Sequence, residues 1–267
     1  MSKTAIIDLD SVAFAIGNPN KILDEQGNPV KVKSAAGNMV FSTVEKTIDE
    51  LRQSADIIMT DILNACNAES YIGFIKGSNT TAFRLQVNPE YKGNRKKESP
   101  WWWGIVKQHL LTKWKAVEAN GLEVDDAVNI TRLMDSTSFI VAIDGDLLGL
   151  EGTHYNWKKR EWITVNFEQS EYKFWKDMIV GQPGDNIKGI PSKGEAYWKN
   201  YYKDTLLGQL RSQVFEDYLN NLGEYYGIKE FYKNYMSLRI LEPGNIDFTI
   251  PEPIQWKNQE TVEELFK

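Results

Sequence analysis

The chain has 267 residues, 42% of them hydrophobic and 25% charged, with a net charge of −6, which sets a globular protein of one large domain, or one domain with an annex, around a sizeable core. No low-complexity tract, repeat or membrane-length apolar run occurs, and the opening residues are too poor in apolar side chains for a signal peptide, so a cytoplasmic protein without a membrane partner is expected. A single cysteine, Cys66, excludes an internal disulfide framework, and two histidines, His109 and His154, are too few for a His-based zinc site or a Ser-His-Asp arrangement.

Residues 4–9 read as a first buried strand, with Asp8 and Asp10 at its end. Residues 18–40 hold several Gly, Asn and Pro and predict a hairpin or irregular excursion. From Ser42 to Cys66 the apolar positions fall at helical spacing, a helix covering the sheet. Residues 71–75 form a second apolar strand. Residues 83–97 then pack five basic residues, Arg84, Lys92, Arg95, Lys96 and Lys97, among Phe83 and Tyr91. Such a segment is either a solvated loop or a surface for phosphates and a stacked base. A helix over 105–114 and a short strand over 115–119 follow.

Glu123-Val124-Asp125-Asp126 opens the next helix, and residues 139–143 form an apolar strand running into Asp144-Gly145-Asp146. Acids at a helix start are favoured by capping and the helix dipole alone, and Asp-Gly-Asp is a common turn. Strands over 154–157 and 161–165 flank Lys158-Lys159-Arg160 as a hairpin. The glycine-rich passage 181–196, between two helix-like segments, would present backbone N–H groups to an anion, with Lys188 and Lys193 beside them; a plain helix-turn-helix is the alternative. Residues 197–241 are helical in pattern, and the tail, with Pro243, Pro251 and Pro253, is expected to wrap the surface.

Acids thus follow three strand-like runs, at Asp8/Asp10, Glu123/Asp125/Asp126 and Asp144/Asp146, and Asp185 lies in the glycine passage. If the strands are parallel neighbours, these acids meet at one sheet edge and could hold two divalent ions, Mg²⁺ or Mn²⁺, roughly 4 Å apart. Bound ions would neutralise the cluster locally, so the negative total does not exclude nucleic acid.

Phe83-Arg84, Pro89-Glu90-Tyr91-Lys92-Gly93-Asn94-Arg95, Glu123-Val124-Asp125-Asp126, Asp144-Gly145-Asp146 and Gly184-Asp185-Asn186-Ile187-Lys188-Gly189-Ile190-Pro191 resemble, in this order, the motifs of the metal-dependent 5′-nucleases. These include flap endonucleases, the 5′–3′ exonuclease domain of bacterial DNA polymerase I and bacteriophage 5′-exonucleases. The likeness runs from Asp8 to Ala196, and the phage members look most similar. It implies a PIN-like α/β fold: a mostly parallel sheet flanked by helices, a helix-hairpin-helix variant that grips duplex DNA, with K⁺ as a further ion there, and a helical C-terminal part. The expected division is a nuclease core over 1–177, the helical region over 178–241 and a tail over 242–267.

By motif position the resemblance assigns Asp8, Glu123, Asp125 and Asp144 to a first metal, and Asp146 and Asp185 to a second, with Asp126 beside them. Asp10 is a candidate substitute ligand. Lys92 would meet the scissile phosphate, Tyr91 would stack on a terminal base, and Arg84, Arg95, Lys96, Lys97, Lys188, Gly189, Lys193 and Gly194 would contact DNA. The implied reaction, by a monomer, is phosphodiester hydrolysis at 5′ ends, nicks, flaps or RNA primers, including RNA–DNA hybrid, in phage replication. Three features depart from the family: no Asp follows Ile75, Gln182 stands where an acid is usual, and Asp8-Leu9-Asp10 replaces Asp-Gly. The span from Lys96 to Leu122 is also short for a helical arch. The departures open a second reading, a DNA-structure-binding homologue with weak or lost catalysis. Asp8-Leu9-Asp10-Ser11 also fits the start of a haloacid-dehalogenase-type phosphatase.

Overall fold

The computed structural model describes residues 3–95, 98–245 and 248–256. Strand β1 (Thr4–Asp8) is followed by helix α1 (Leu9–Gly17). Four short strands, β2 (Asn20–Lys21), β3 (Lys31–Lys33), β4 (Met39–Phe41) and β5 (Thr43–Val44), form two antiparallel ladders, β2 with β5 and β3 with β4, so the excursion expected over 18–40 runs on to Val44, into the stretch expected as helix. Helix α2 (Ile48–Ala65) starts at a Thr47–Glu50 capping box and leads to β6 (Ser70–Lys76). Then come α3 (Ala82–Val87), α4 (Trp103–Thr112), β7 (Val117–Ala119), α5 (Val124–Met134) and β8 (Phe139–Ala142). The hairpin β9 (Gly152–Asn156) and β10 (Glu161–Val165) precedes α6 (Phe167–Val180). A small ladder, β11 (Gly181–Gln182) with β12 (Ile187–Lys188), joins α6 to α7 (Glu195–Tyr201), followed by α8 (Leu207–Leu222), α9 (Glu224–Leu238) and β13 (Ile254–Gln255).

The main sheet has the order β10-β9-β8-β1-β6-β13, with β7 also paired to β6. Strands β9, β8, β1, β6 and β7 run parallel, while β10 and β13 are antiparallel edges. The chain leaves β1 for β6 on one side and later returns to β8 on the other. The sheet order therefore reverses at β1, where the carboxyl ends of parallel strands leave a crevice. One face packs Leu51, Met59 and Leu63 of α2 and Val106 and Leu110 of α4 against β1 and β6; the other packs Val124 and Val128 of α5 against Ile6, Ile72 and Ile140. Burial on both faces explains why β1, β6 and β8 are unbroken apolar runs.

A further apolar cluster lies in the C-terminal helices, around Met178, Leu210, Val214, Tyr218 and Phe231. Phe174 and Trp175 belong to it, so the division expected after residue 177 falls inside α6, a helix that packs against α8 and α9. The tail does more than wrap the surface: β13 adds an edge to β6, and Trp256 stacks near Trp114 with ring centroids 5.8 Å apart. Within the segment expected as a basic loop, residues 82–87 are helical, because Arg84 is drawn inward. Cys66 is buried, and burial pushes its thiol up to about 12, which makes it inert. His154 is buried with Nε2 at 2.8 Å from the Leu150 carbonyl, and His109 bonds Asp56 at 2.8 Å. Among the described residues no helix is long and apolar enough to cross a membrane.

Candidate functional site

The crevice at the carboxyl end of β1 and β8 is an open cleft of about 550 Å³ lined by Asp8, Asp10, Glu123, Asp125, Asp144, Asp146 and Asp185, with Lys76, Lys92, Arg95 and Phe14. Asp8 ends β1 and caps α1, accepting from the backbone N–H groups of Asp10 at 2.9 Å and Ser11 at 3.4 Å. Asp10 accepts from the Lys76 N–H at 2.9 Å, which ties it to the end of β6. Glu123 caps α5, Asp125 lies in its first turn, and Asp144 follows β8, accepting from the Asp146 N–H at 2.7 Å. Asp185 arrives on the turn between β11 and β12.

Seven acids in one cleft make its electrostatics unfavourable without cations. Burial, then the neighbouring Asp10, pushes the Asp8 carboxyl up to about 7. Burial also raises Asp125 far above the ordinary carboxylate range, followed by repulsion from Asp8, Asp144 and Glu123. Asp125 thus senses three other carboxylates at once. Part of the load is met internally: Lys92 pairs with Glu123 and sits 3.7 Å from Asp185, and Arg95 pairs with Asp185. The Lys92 and Asp185 backbones are joined as well, by a 2.9 Å hydrogen bond from the Lys92 N–H to the Asp185 carbonyl. Among the described residues no group of three or more His, Cys, Asp or Glu side chains is closed into a ready cage for an ion. The donor set is nevertheless all carboxylate oxygen, which suits Mg²⁺ or Mn²⁺ rather than zinc, and the mutual repulsion of Asp8, Asp125, Asp144 and Glu123 is what a hard cation relieves.

Three candidates sit elsewhere than expected. Asp126 turns away from the cleft and grips Arg84 through both oxygens, at 2.6 and 2.8 Å. Arg84 is itself only 3% exposed and also donates to the carbonyls of Ser237 and Arg239, so it joins α3 to the end of α9 and does not reach a DNA surface. Tyr91 is buried, its hydroxyl shared between Glu123 at 2.7 Å and Asp185 at 3.0 Å; the ring is not free to stack on a base. For Arg84 and Tyr91, carboxylates have claimed the groups that the resemblance assigns to nucleic acid. Lys96 and Lys97 lie outside the described residues.

The hairpin between α6 and α7 presents Lys188 and Gly194 at the surface. A Cβ at Gly189 would overlap the Ile179 carbonyl, so the hairpin closes tightly against α6 only with glycine there. Lys193 lies 3.6 Å over the Tyr197 ring and 3.7 Å from Asp217, held along α7. Sequence reasoning missed Lys173 and Asp177. They stand one turn apart on α6, and Lys173 Nζ donates to Asp146 Oδ1 and to Asp177 Oδ2, each at 2.8 Å. An i,i+4 Lys–Asp pair just before Gly181-Gln182 was the available signal.

No protein-family model and no curated protein matches the chain. Solved structures do. A mutant T5 5′-exonuclease is 15% identical over 89% of this chain and 86% of its own, with a TM-score of 0.56. A zinc-bound T5 5′-exonuclease is 15% identical over 88% of both chains, with a TM-score of 0.57. The catalytic core of Rad2 in complex with a DNA substrate is 10% identical over 96% of this chain and 83% of its own, with a TM-score of 0.51. The shared property is the fold: a mostly parallel sheet flanked by helices with a helical C-terminal part, as the resemblance implied.

Proposed function

We propose that this chain, built on the fold of the 5′-nucleases, is a divalent-metal-dependent nuclease that hydrolyses phosphodiesters at 5′ ends or flaps of DNA. The observation that carries the reading is the convergence of Asp8, Glu123, Asp125 and Asp144 at the sheet's switch point, with Lys92 and Arg95 facing them across the same cleft. The four acids would hold Mg²⁺ or Mn²⁺, which when bound supplies an activated water and a counter-charge for the phosphate. Lys92, 18% exposed at its side chain, stands at the mouth of the acid cluster and would place its ammonium on the scissile phosphate, where charge builds in the transition state. Arg95, over half exposed, would bind a neighbouring phosphate. Backbone N–H groups anchor Asp8, which would be held in place for the ion. Lys188 and the exposed N-terminus of α7 at Gly194 would track the duplex backbone.

The Gln182 amide and the Lys173 ammonium at Asp146 favour a second reading, a homologue that binds DNA ends and cuts them weakly or not at all. Incubating the protein with a 5′-labelled flap or nicked duplex and Mg²⁺ or Mn²⁺ separates the two. Shortened 5′ products support the nuclease; tight binding without cleavage under either ion sinks it.

A further inference from the structure

Like Glu123 and Asp185, Asp146 is met by a basic side chain, and it also takes a side-chain amide. Its Oδ1 accepts from Lys173 Nζ at 2.8 Å and from Gln182 Nε2 at 2.8 Å. The same ammonium donates to Asp177 Oδ2 at 2.8 Å, and the same amide approaches that oxygen at 3.4 Å. A positive charge therefore sits between two carboxylates with a neutral donor at its side. This is the charge pattern that a cation shared by acidic ligands would create, made here from side chains.

Lys173 is also held in position by its stem. The chain passes flat over Gly149, where an added Cβ would overlap Lys173 Cδ and lie 2.6 Å from Cε. Gly149 thus leaves the groove through which the lysine reaches Asp146, and Asp177, one turn further along α6, holds its tip from the other side. A solvated surface lysine needs no such groove. Gln182 reinforces the effect, because its N–H₂ group donates to the Asp146 oxygen and, unlike a carboxylate, the neutral amide brings no negative charge to attract a cation.

We infer that Lys173 is a built-in cation that fills the position of a second metal ion, so that the chain takes one divalent ion, at Asp8, Glu123, Asp125 and Asp144. The inference rests on the metal-dependent reading proposed above. Asp146 is then a structural partner of Lys173 rather than a ligand. The fixed ammonium would supply one positive charge on that side of the cleft at any metal concentration, and cleavage would rise with the first power of free Mg²⁺.

The test is the number of ions bound, measured on the full chain with Mn²⁺ by titration calorimetry and by the electron paramagnetic resonance of free Mn²⁺. Wild type is expected to bind one ion. Lys173→Met combined with Gln182→Asp, which removes the ammonium and restores an acid, should bind two, as should Lys173→Gln combined with Gln182→Asp. Lys173→Arg, which keeps the charge, should stay at one. Far-UV circular dichroism and a melting curve establish that each variant is folded, and the two double variants guard against failure of either. Two ions on wild type overturn the inference. So does a single ion on the folded double variants, an outcome that leaves the metal-dependent reading standing. No ion on wild type overturns both, and the flap assay distinguishes that case independently.

Discussion

Arg84 and Lys92 lie eight residues apart in one basic segment, yet burial gives them opposite work. Arg84 is enclosed, its fork matched by both oxygens of Asp126 and capped by two carbonyls, so its charge is spent inside the protein. Removing one partner leaves the other charged and buried. Arg84→Met should therefore cost on the order of 3–5 kcal/mol in urea unfolding. A loss below about 1 kcal/mol accompanied by weaker DNA binding would return Arg84 to the DNA surface. Lys92 is only part-buried and faces the cleft. Lys92→Ala should lower cleavage on the order of 10²–10³-fold while changing DNA affinity much less, as for other donors aimed at developing charge. Equal losses in cleavage and binding, measured by single-turnover kinetics and by titration of labelled flap, would refute that role.

At the scale of elements, two contacts decide how the helices are set. Asp56 of α2 receives His109 at 2.8 Å, Lys113 at 2.9 Å and the Trp114 indole N–H at 2.8 Å, fixing α2 to α4. Burial alone would raise its carboxyl, but these three donors outweigh it and hold it below its ordinary 3.8. A carboxyl whose pKa is depressed by folding contributes stability that is present above its unfolded value and lost as pH falls through the folded one. The stability gap between wild type and Asp56→Asn should close as pH falls below about 4, in urea melts at successive pH values. A gap that widens in acid would contradict the assignment. The α6–α7 hairpin depends instead on space: Gly181, at φ +81°, and Gly189 let two backbones touch. Gly189→Ala should cost about 1–3 kcal/mol, as overpacking does, and weaken duplex binding more than binding of single strands. Strands β1, β6 and β8 were legible because burial on both faces leaves unbroken apolar runs, and the acids at their ends could be placed for the same reason. The pairing of Arg84 with Asp126 and of Lys173 with Asp146 was not legible: periodicity reports which face of an element is buried, not which charge waits 42 or 27 positions away. Likewise β13 is two residues long and announces itself only by the strand it joins.

Over the whole molecule, a net charge of −6 is concentrated in part at one cleft, which sets apo stability against ion binding. Folding brings Asp8 and Asp125 under carboxylate neighbours, so their ionised forms oppose the compact state until a cation enters. An ion at 100 times its dissociation constant adds about 2.7 kcal/mol to stability, which for a chain of this size corresponds to roughly 5–10 °C in Tm. Mn²⁺ should therefore raise the melting temperature by that order, while the same concentration of a non-coordinating salt should not. Asp8→Asn sharpens the expectation. The amide still caps α1 through its carbonyl oxygen but no longer repels Asp10, so the metal-free variant should melt higher than wild type and should lose most of the Mn²⁺ shift. Scanning calorimetry of both proteins, with and without Mn²⁺, reads all four values. A variant that melts lower without metal yet keeps the full shift would mean that Asp8 is a structural cap alone and that the ion sits elsewhere.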